Sequence, residues 1–171
     1  MRIHCEDFAQ IFSVMPENKY SLEFSYLAVA ATFMAYPSLG EPAVHELLRR
    51  LVVNEMLGNP DMHLKNIGVW YPDGKTPELP PAYDIVAHAL YTPISGHGLR
   101  ILPPGLEARL GGKAPSNGNG RRLGLTPAVV RVFCEAIGII ERPAATAIAE
   151  CVSAAADTWP ALINGSPLPP T

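Results

Sequence analysis

The sequence predicts an α+β fold that is mostly helical and has one small pair of strands. Two apolar stretches with helical periodicity, residues 22–36 and 43–57, come early in the chain, and two more follow residue 126. Between them, residues 67–83 favour strands. Apolar residues make up 48% of the 171 residues and charged residues 17%, so we expect a packed core rather than disorder.

Composition bears on nucleic-acid binding, on the redox state of the cysteines and on membrane insertion. A net charge of −3 gives no general attraction to nucleic acids. The three cysteines, Cys5, Cys134 and Cys151, lack the spacing of metal ligands, so we expect free thiols in a reducing compartment. The first residues contain no apolar run typical of a signal peptide, and the longest apolar stretch, residues 22–35, is too short to span a bilayer. We therefore expect a cytoplasmic protein without a membrane segment.

Apolar periodicity predicts the first two helices. Residues 6–14 place Phe8, Ile11 and Phe12 on one helical face. Residues 22–36 are apolar nearly all round, which is typical of a helix at the centre of a core.

The third helix, residues 43–57, has the clearest amphipathic pattern. Ser38 and Glu41 have the spacing of a capping box before it, and Gly58 is expected to end it in a left-handed conformation. One stripe should be buried while the charged residues face solvent. The expected inward residues are Val44, Leu47, Leu48, Leu51, Val52 and Met56, and the expected outward residues are Glu46, Arg49, Arg50 and Glu55.

A β-hairpin pattern follows this helix. Residues 67–71 favour a strand, residues 72–75 a turn and residues 79–83 a return strand. Pro80 and Pro81 have no backbone N–H, so the return strand is restricted to an edge or to irregular pairing.

Residues 92–125 predict mostly loop, because glycine and proline are frequent there. Lys113, Arg121 and Arg122 lie in this loop. They can contact nucleic-acid phosphates, but the pattern favours a mobile, solvated loop, and direct nucleic-acid binding is not expected.

Two helices are predicted to end the fold. Thr126 and Pro127 suit the N-cap and first position of one helix. Pro143 opens the last helix, and Pro160 should stop it. The expected inward residues are Val129, Val130, Phe133, Ala136 and Ile137 in the first of these helices, and Ile148, Val152 and Ala155 in the second.

A dense polar cluster directly follows the third helix. Asp61, His63, Lys65 and Asn66 lie within six residues, and Asp84 follows 23 residues after Asp61. Phosphoryl transfer to a hydroxyl requires a carboxylate near the attacking oxygen, oxygen ligands for Mg²⁺ and positive charge near the phosphates. Asp61 can be that carboxylate, Asn66 and Asp84 can bind the metal, and Lys65 can reach a phosphate. A helix, a loop with Asp and Asn, a hairpin and a second Asp follow in this order in kinase-like lobes.

Two other interpretations of the cluster are open from the residues alone. Asn59 and Pro60 are common in ordinary turns, and Asp61 can simply cap such a turn. A zinc site from Asp61, His63 and Asp84 is a weaker alternative, because no second His or Cys is near.

The cluster also resembles a known family. Residues 59–66 (NPDMHLKN) and 81–85 (PAYDI) resemble the catalytic-loop and metal-binding segments of HipA-like serine/threonine kinases, the toxins of bacterial toxin–antitoxin pairs. The similarity spans roughly residues 2–158. Further family-like segments are residues 3–10 (IHCEDFAQ), Lys19-Tyr20, residues 110–113 (LGGK) and the helix from Pro127 through Ile137.

The resemblance implies a fold and a set of roles. Residues 1–160 would form a protein-kinase-like C-terminal lobe that uses ATP and Mg²⁺, and residues 161–171 a flexible tail. Asp61 would be the catalytic base. The other implied site residues are His63, Leu64, Lys65 and Asn66 around the ATP phosphates and metal, Tyr83 and Asp84 bordering ATP, and Asn66 and Asp84 as Mg²⁺ ligands.

Two departures from the family pattern lead to a second hypothesis. No Gly-rich loop of the kind found in the family's nucleotide-binding N-terminal lobe precedes a helix near the start, so we expect the isolated chain to bind ATP weakly or not at all. The family's Gly-rich segment after Lys-Tyr is also missing here. The chain can therefore be a catalytic lobe that phosphorylates a protein such as a translation factor or an aminoacyl-tRNA synthetase. Alternatively, it is a non-catalytic interaction module, or a truncated remnant, that binds a helix-turn-helix antitoxin or a separate N-terminal lobe.

Overall fold

The computed structural model describes residues 2–88, 91, 96–110 and 123–166. Within these ranges it contains six α-helices and a two-stranded antiparallel sheet, so the predicted, predominantly helical α+β class is confirmed. The helices are Phe8–Ile11 (α1), Tyr26–Ala35 (α2), Gly40–Met56 (α3), Pro104–Glu107 (α4), Pro127–Ile137 (α5) and Glu141–Asn164 (α6), and the strands are His4–Asp7 (β1) and Gly68–Tyr71 (β2). Short 3₁₀ turns cover Pro16–Asn18, Leu64–Asn66 and Ala108–Leu110.

Helix α3 lies at the centre and packs against α2 and α6. Its apolar stripe is buried as predicted, because these side chains recur on one helical face, except that Met56 at the helix end is only partly buried. Gly58 has a φ of +60° just past the helix end and so confirms the predicted left-handed cap. The buried stripe residues are Val44, Leu47, Leu48, Leu51 and Val52.

Two details predicted for α3 are wrong. Ser38 does not cap the helix; its hydroxyl donates to the carbonyl of Pro77 over 2.7 Å, and no side chain caps α3. Arg50, predicted to face solvent, is only 8% exposed. Its guanidinium satisfies its donors locally, with Nε 3.0 Å from Glu46 Oε1 and Nη2 2.6 Å from the carbonyl of Pro80.

The predicted partner of the second strand is also wrong. β2 pairs with β1, with His4 opposite Tyr71 and Asp7 opposite Gly68. The predicted return strand, residues 79–83, does not form, because its prolines cannot donate backbone hydrogen bonds; only the residue before it, Glu78, makes an isolated bridge to Trp70. The start of the predicted first helix thus belongs to β1, and α1 is only one turn long, capped by Asp7. This pairing brings Asp7 next to the loop that follows α3.

Helix α2 begins later than predicted, at Tyr26, with Ser25 as its N-cap. Its first N–H groups are satisfied from elsewhere in the chain: Tyr26 N donates to the carbonyl of Arg100 over 2.9 Å, and Leu27 N to that of Ile101 over 3.1 Å. Residues 97–102 are thereby fixed against α2. They contain no helix or strand, in agreement with the mostly loop prediction for residues 92–125, but the one-turn helix α4 in that range was not predicted.

Helix α5 confirms the predicted Thr126 cap, but the path of α6 differs from the prediction. Pro160 lies inside α6, which continues to Asn164. The carbonyl left without a partner by this proline belongs to Ala156, an exposed residue, and can bond to water instead. Alanines rather than Val152 form the buried face, because small side chains let α6 approach its neighbours closely. The buried residues of α6 are Ala144, Ala147 and Ala155, and those of α5 are Val129, Val130, Phe133 and Cys134, whereas the predicted Ala136 is exposed.

Three further expectations concern the cysteines, membrane segments and the basic loop. All three cysteines are free, with Cys134 buried and Cys5 exposed. In the described part of the chain, no helix has the length and apolarity needed to cross a bilayer. The predicted basic loop with Lys113, Arg121 and Arg122 lies outside the described residues.

Glu55 on α3 holds the segment before α5. Its Oε2 accepts a hydrogen bond from Leu125 N over 3.0 Å and lies 3.4 Å from His97 Nε2. The hydrogen bond with His97, followed by that from Leu125, outweighs burial and lowers the pKa of the Glu55 carboxyl. A lowered carboxyl pKa stabilises the fold above the ordinary pKa, and this contribution is lost as pH falls through the folded-state value.

We predict that Glu55→Gln lowers the free energy of unfolding near neutral pH by about 1 kcal/mol or less, since water screens a side chain that is 42% exposed. The difference from the wild type should shrink as the solution is acidified below the ordinary carboxyl pKa. Urea denaturation across pH measures it, with Glu150→Gln on the exposed side of α6 as the control. A difference that is constant with pH contradicts the prediction.

Candidate active site

The loop of residues 59–66 is anchored to the end of α3 by two buried asparagines. Asn59 Nδ2 donates to Asn54 Oδ1 over 2.6 Å, and Asn54 Nδ2 donates to the carbonyl of Arg50 over 2.7 Å and lies 3.3 Å from Met62 Sδ. Asn59 Oδ1 in turn accepts from Asp61 N over 3.1 Å. Both asparagines are about 1% exposed, so breaking this network leaves unsatisfied buried groups and is unfavourable.

A second anchor comes from α2. The Tyr26 hydroxyl donates to the carbonyl of Met62 over 2.6 Å and accepts from Leu99 N over 3.2 Å. The segment around Gly98 lies directly against the loop, because a Cβ on this glycine would come within 2.6 Å of the Met62 carbonyl oxygen and 3.0 Å of His63 N. A residue without a side chain is required at this approach.

Two backbone hydrogen bonds fix the far end of the loop. Leu64 N donates to the carbonyl of Lys19 over 3.2 Å, and Phe8 N donates to that of Ile67 over 2.9 Å. The Leu64 side chain is fully buried in the core. These anchors leave Asp61, Lys65 and Asn66 partly exposed, whereas His63 between them is buried.

The Asn66 side chain joins the two predicted acids. Its Nδ2 donates to the backbone carbonyl of Asp61 over 2.9 Å and to Asp84 Oδ2 over 2.6 Å. Asp84 has a φ of +55°, a left-handed conformation that Asp tolerates better than most residues. Asn59 Nδ2 lies 3.4 Å from the Asp84 carbonyl and helps to hold it.

Asn66 acts as a donor in this arrangement rather than as the predicted oxygen ligand. Turning its amide by half a turn brings Oδ1 next to the Asp84 carboxylate, and the pair then offers the hard oxygen ligands that Mg²⁺ prefers. No three His, Cys, Asp or Glu side chains converge as a metal site within the described residues, which removes the alternative of a zinc site from Asp61, His63 and Asp84. Two such oxygen-bearing side chains are a donor set that would suit a magnesium ion.

Tyr20 and His63 surround the Asp61 carboxylate. The Tyr20 hydroxyl donates a hydrogen bond to Asp61 Oδ1, and burial followed by this bond raises the pKa of Tyr20 to about 12. His63 Nε2 is 3.9 Å from the same oxygen, and its ring meets the Tyr20 ring edge-on at 5.0 Å. His63 is 3% exposed, and burial, followed by the positive charge of Lys19, lowers its pKa. A lowered pKa favours the neutral imidazole beside Asp61.

Lys65 and Tyr83 lie on the other side of the loop. Lys65 Nζ is 3.8 Å from Asp7 Oδ2, and the Tyr83 hydroxyl donates to the carbonyl of Lys65 over 3.1 Å. Burial, followed by the charge of Asp7, raises the pKa of Tyr83. A shallow pocket opens at this point, lined by Arg50, Asn54, Met62, Asn66, Ala82, Tyr83, Asp84 and Ile85.

The structure places the predicted site residues in two groups. Asn66 connects Asp61 with Asp84, and Tyr83 bonds to the backbone of Lys65, so these five lie at one place. The Leu64 side chain points into the core and His63 is buried beneath Asp61, so neither side chain is placed to line the phosphates as predicted. Their positions anchor the loop instead.

Sequence reasoning missed four contributors: Asp7, Tyr20, Asn54 and Asn59. Asn54 reads as one polar residue on a helix, and Asn59 reads as part of an ordinary turn. Lys19-Tyr20 resembles a pair found in the family, but no local pattern shows that the Tyr20 hydroxyl reaches a carboxylate 41 positions later. A polar residue on the buried face of α3 was the one available signal, at Asn54.

Comparison with known proteins identifies the family of this chain. Residues 1–159 match the model of the HipA-like C-terminal domain. The chain belongs to the HipA-like C-terminal domain family. Two Sinorhizobium fredii proteins are similar over part of the chain: "Putative kinase Y4dM" is 43% identical over 89 residues, and "Putative kinase Y4mE" is 34% identical over 96 residues. A Haemophilus influenzae protein named "Putative kinase" is 34% identical over 90 residues.

These matches cover 52%, 55% and 53% of this HipA-like chain, respectively. They cover 21%, 23% and 26% of the relatives, so the matched part is about a fifth to a quarter of those proteins. The kinase names are those of the relatives.

We predict that Gly98→Ala lowers the free energy of unfolding by about 1–3 kcal/mol. The new Cβ would collide with backbone atoms of the loop, and relieving the collision requires a shift of the backbone on one side or the other. Chemical denaturation measures the loss. Gly105→Ala is the matched control, because its Cβ would meet nothing within 4 Å. Equal stability of the two variants contradicts the close approach.

Proposed function

We propose that this chain is the catalytic lobe of an ATP- and Mg²⁺-dependent protein kinase that phosphorylates a serine or threonine hydroxyl. The observation that carries the proposal is the Asn66 side chain, which bonds to both the Asp61 backbone and the Asp84 carboxylate. One side chain therefore holds a candidate base and a candidate metal ligand at a fixed separation. Phosphoryl transfer depends mainly on such positioning and on electrostatic stabilisation.

Each residue has a role in this proposal. Asp61 accepts the proton of the acceptor hydroxyl, and neutral His63 packs beneath it with Nε2 3.9 Å from Oδ1. Asp84 and Asn66 bind Mg²⁺, which neutralises charge on the nucleotide phosphates when bound. Lys65, 40% exposed at its side chain, is free to exchange Asp7 for a phosphate oxygen. Tyr83 borders the pocket beside Asp84, and its ring packs against the bound nucleotide in this proposal.

The wider biological role follows from the family resemblance. We propose that the protein acts as a toxin with a helix-turn-helix antitoxin partner and a protein target in translation. Structural support comes from the Asp61 carboxylate, which is 36% exposed, so a hydroxyl on a large protein acceptor has access to it. We expect the affinity for ATP to be higher when a nucleotide-binding lobe is present, because the described residues form one wall of a cleft.

We predict different losses for the two acids. With millimolar ATP and Mg²⁺, Asp61→Asn should keep the nucleotide-induced rise in melting temperature but reduce phosphate transfer by about 10²–10⁴-fold, because it removes only the base. Asp84→Asn should lose both the rise and the transfer, because it removes the metal ligand. Thermal shift and transfer from γ-labelled ATP measure these effects.

Asp157→Asn, an exposed acid on α6, is the control for both measurements. If the chain is an interaction module only, ATP leaves the melting temperature of all four proteins unchanged. Because weak binding is expected of this chain, ATP is raised to the highest usable concentration. No rise in melting temperature there, or equal phosphate transfer by the Asp61 and Asp157 variants, contradicts the proposed function.

A further inference from the structure

The Tyr20 hydroxyl lies where phosphoryl transfer requires an acceptor. A catalytic carboxylate works by accepting a hydrogen bond from the hydroxyl that attacks the phosphate. In this structure Asp61 Oδ1 already accepts that bond from the Tyr20 phenol. Tyr20 thus makes the contact that an incoming serine, threonine or water hydroxyl needs.

Three further contacts hold Tyr20 in this place. The carbonyl of the preceding residue, Lys19, accepts a hydrogen bond from Leu64 N inside the catalytic loop. The Tyr20 ring packs edge-on against buried His63, and the Lys19 ammonium lies 5.1 Å from its centroid on a ring face. The tyrosine is therefore built into the site, although 43% of it remains exposed.

Its exposure means that Tyr20 can leave without disrupting the core. The hydroxyl bonds to a carboxylate that is itself 36% exposed, so water can replace the bond from either side. Rotation of one exposed aromatic side chain frees Asp61 Oδ1, while the backbone bond between Lys19 and Leu64 stays in place.

We propose that Tyr20 is an internal occupant of the acceptor position, which a substrate hydroxyl must displace from Asp61 before phosphoryl transfer. This inference rests on the proposed kinase function. It makes Tyr20 a specificity-determining residue: acceptors that displace the phenol are phosphorylated, and water, which makes no other contacts in the site, is disfavoured. Tyr20 forms no covalent bond in this role, and the proton of the acceptor goes to Asp61.

The test uses Tyr20→Phe, which keeps the ring packed on His63 and removes only the hydroxyl. ATP with Mg²⁺ and no protein acceptor is the probe, so that water is the acceptor. Hydrolysis should rise about tenfold or more, the factor that corresponds to one hydrogen bond to a charged group. The ¹³C NMR signal of the Asp61 carboxyl carbon, recorded without nucleotide, should shift in the same variant.

Tyr36→Phe is the matched control, because Tyr36 is equally exposed at 43% and lies at the end of α2. It should change neither the hydrolysis rate nor the Asp61 signal. An Asp61 signal that is the same in wild type and Tyr20→Phe shows that the contact does not exist in solution and overturns the inference.

The remaining outcomes separate this inference from the proposed function. If the wild type hydrolyses ATP and Tyr20→Phe does so at an equal or lower rate, Tyr20 is not an occupant, and the kinase proposal still stands. Phosphate found on Tyr20 by mass spectrometry also overturns the inference, because the tyrosine is then an acceptor. If ATP is not hydrolysed by the wild type or by Tyr20→Phe, and also stabilises neither protein, the proposed function fails and the inference fails with it.

Discussion

The two hydrogen bonds donated by the Asn66 amide are the interaction on which the site depends. Over 2.9 Å and 2.6 Å they connect the Asp61 backbone with the Asp84 carboxylate, two acids that are 23 residues apart in the sequence. Without this bridge, Asp84 in its left-handed conformation would be held near the loop chiefly by Asn59. The bridge persists because the loop that carries Asn66 is itself held to α3, α2 and α1.

Burial explains why an exposed polar loop can be so well positioned. Asn54 and Asn59 are almost fully buried, and satisfying them fixes the first residues of the loop. The Tyr26 hydroxyl fixes Met62 from the opposite side. Preorganisation of this kind spares the reorganisation that a reaction otherwise requires. The stability of the helical core is thereby coupled to the geometry of Asp61, which lies between these anchors.

Local patterns predicted α3 and α5 well because their signals are local, whereas the extent of α1, the start of α2 and the end of α6 were predicted wrongly. The stripe of α3, the Gly58 cap and the Thr126 cap are each set by residues within a turn or two. The predicted hairpin failed because strand pairing is a long-range choice. β2 pairs with residues more than 60 positions earlier, and nothing in the sequence around Pro80 and Pro81 identifies that partner.

The same distinction applies to the site. The types of its residues indicated Asp61, Asn66 and Asp84, because phosphoryl transfer requires carboxylates and hard oxygen ligands. The sequence could not show that Leu64 is turned into the core or that Tyr20 reaches Asp61, since both depend on the path of the chain around α2. Family resemblance supplied roles, and the fold decided which side chains are placed to perform them.

The most direct test of the central claim is NMR with Mn²⁺, a paramagnetic ion that occupies magnesium-type oxygen sites. If Asn66 and Asp84 form a divalent-cation site, low Mn²⁺ concentrations should broaden the side-chain amide signals of Asn66 and the backbone signal of Asp84 first, and excess Mg²⁺ should restore them. Broadening that begins at other carboxylates, such as Asp73 in the turn after β2, while the signals of Asn66 and Asp84 stay sharp, would contradict the claim.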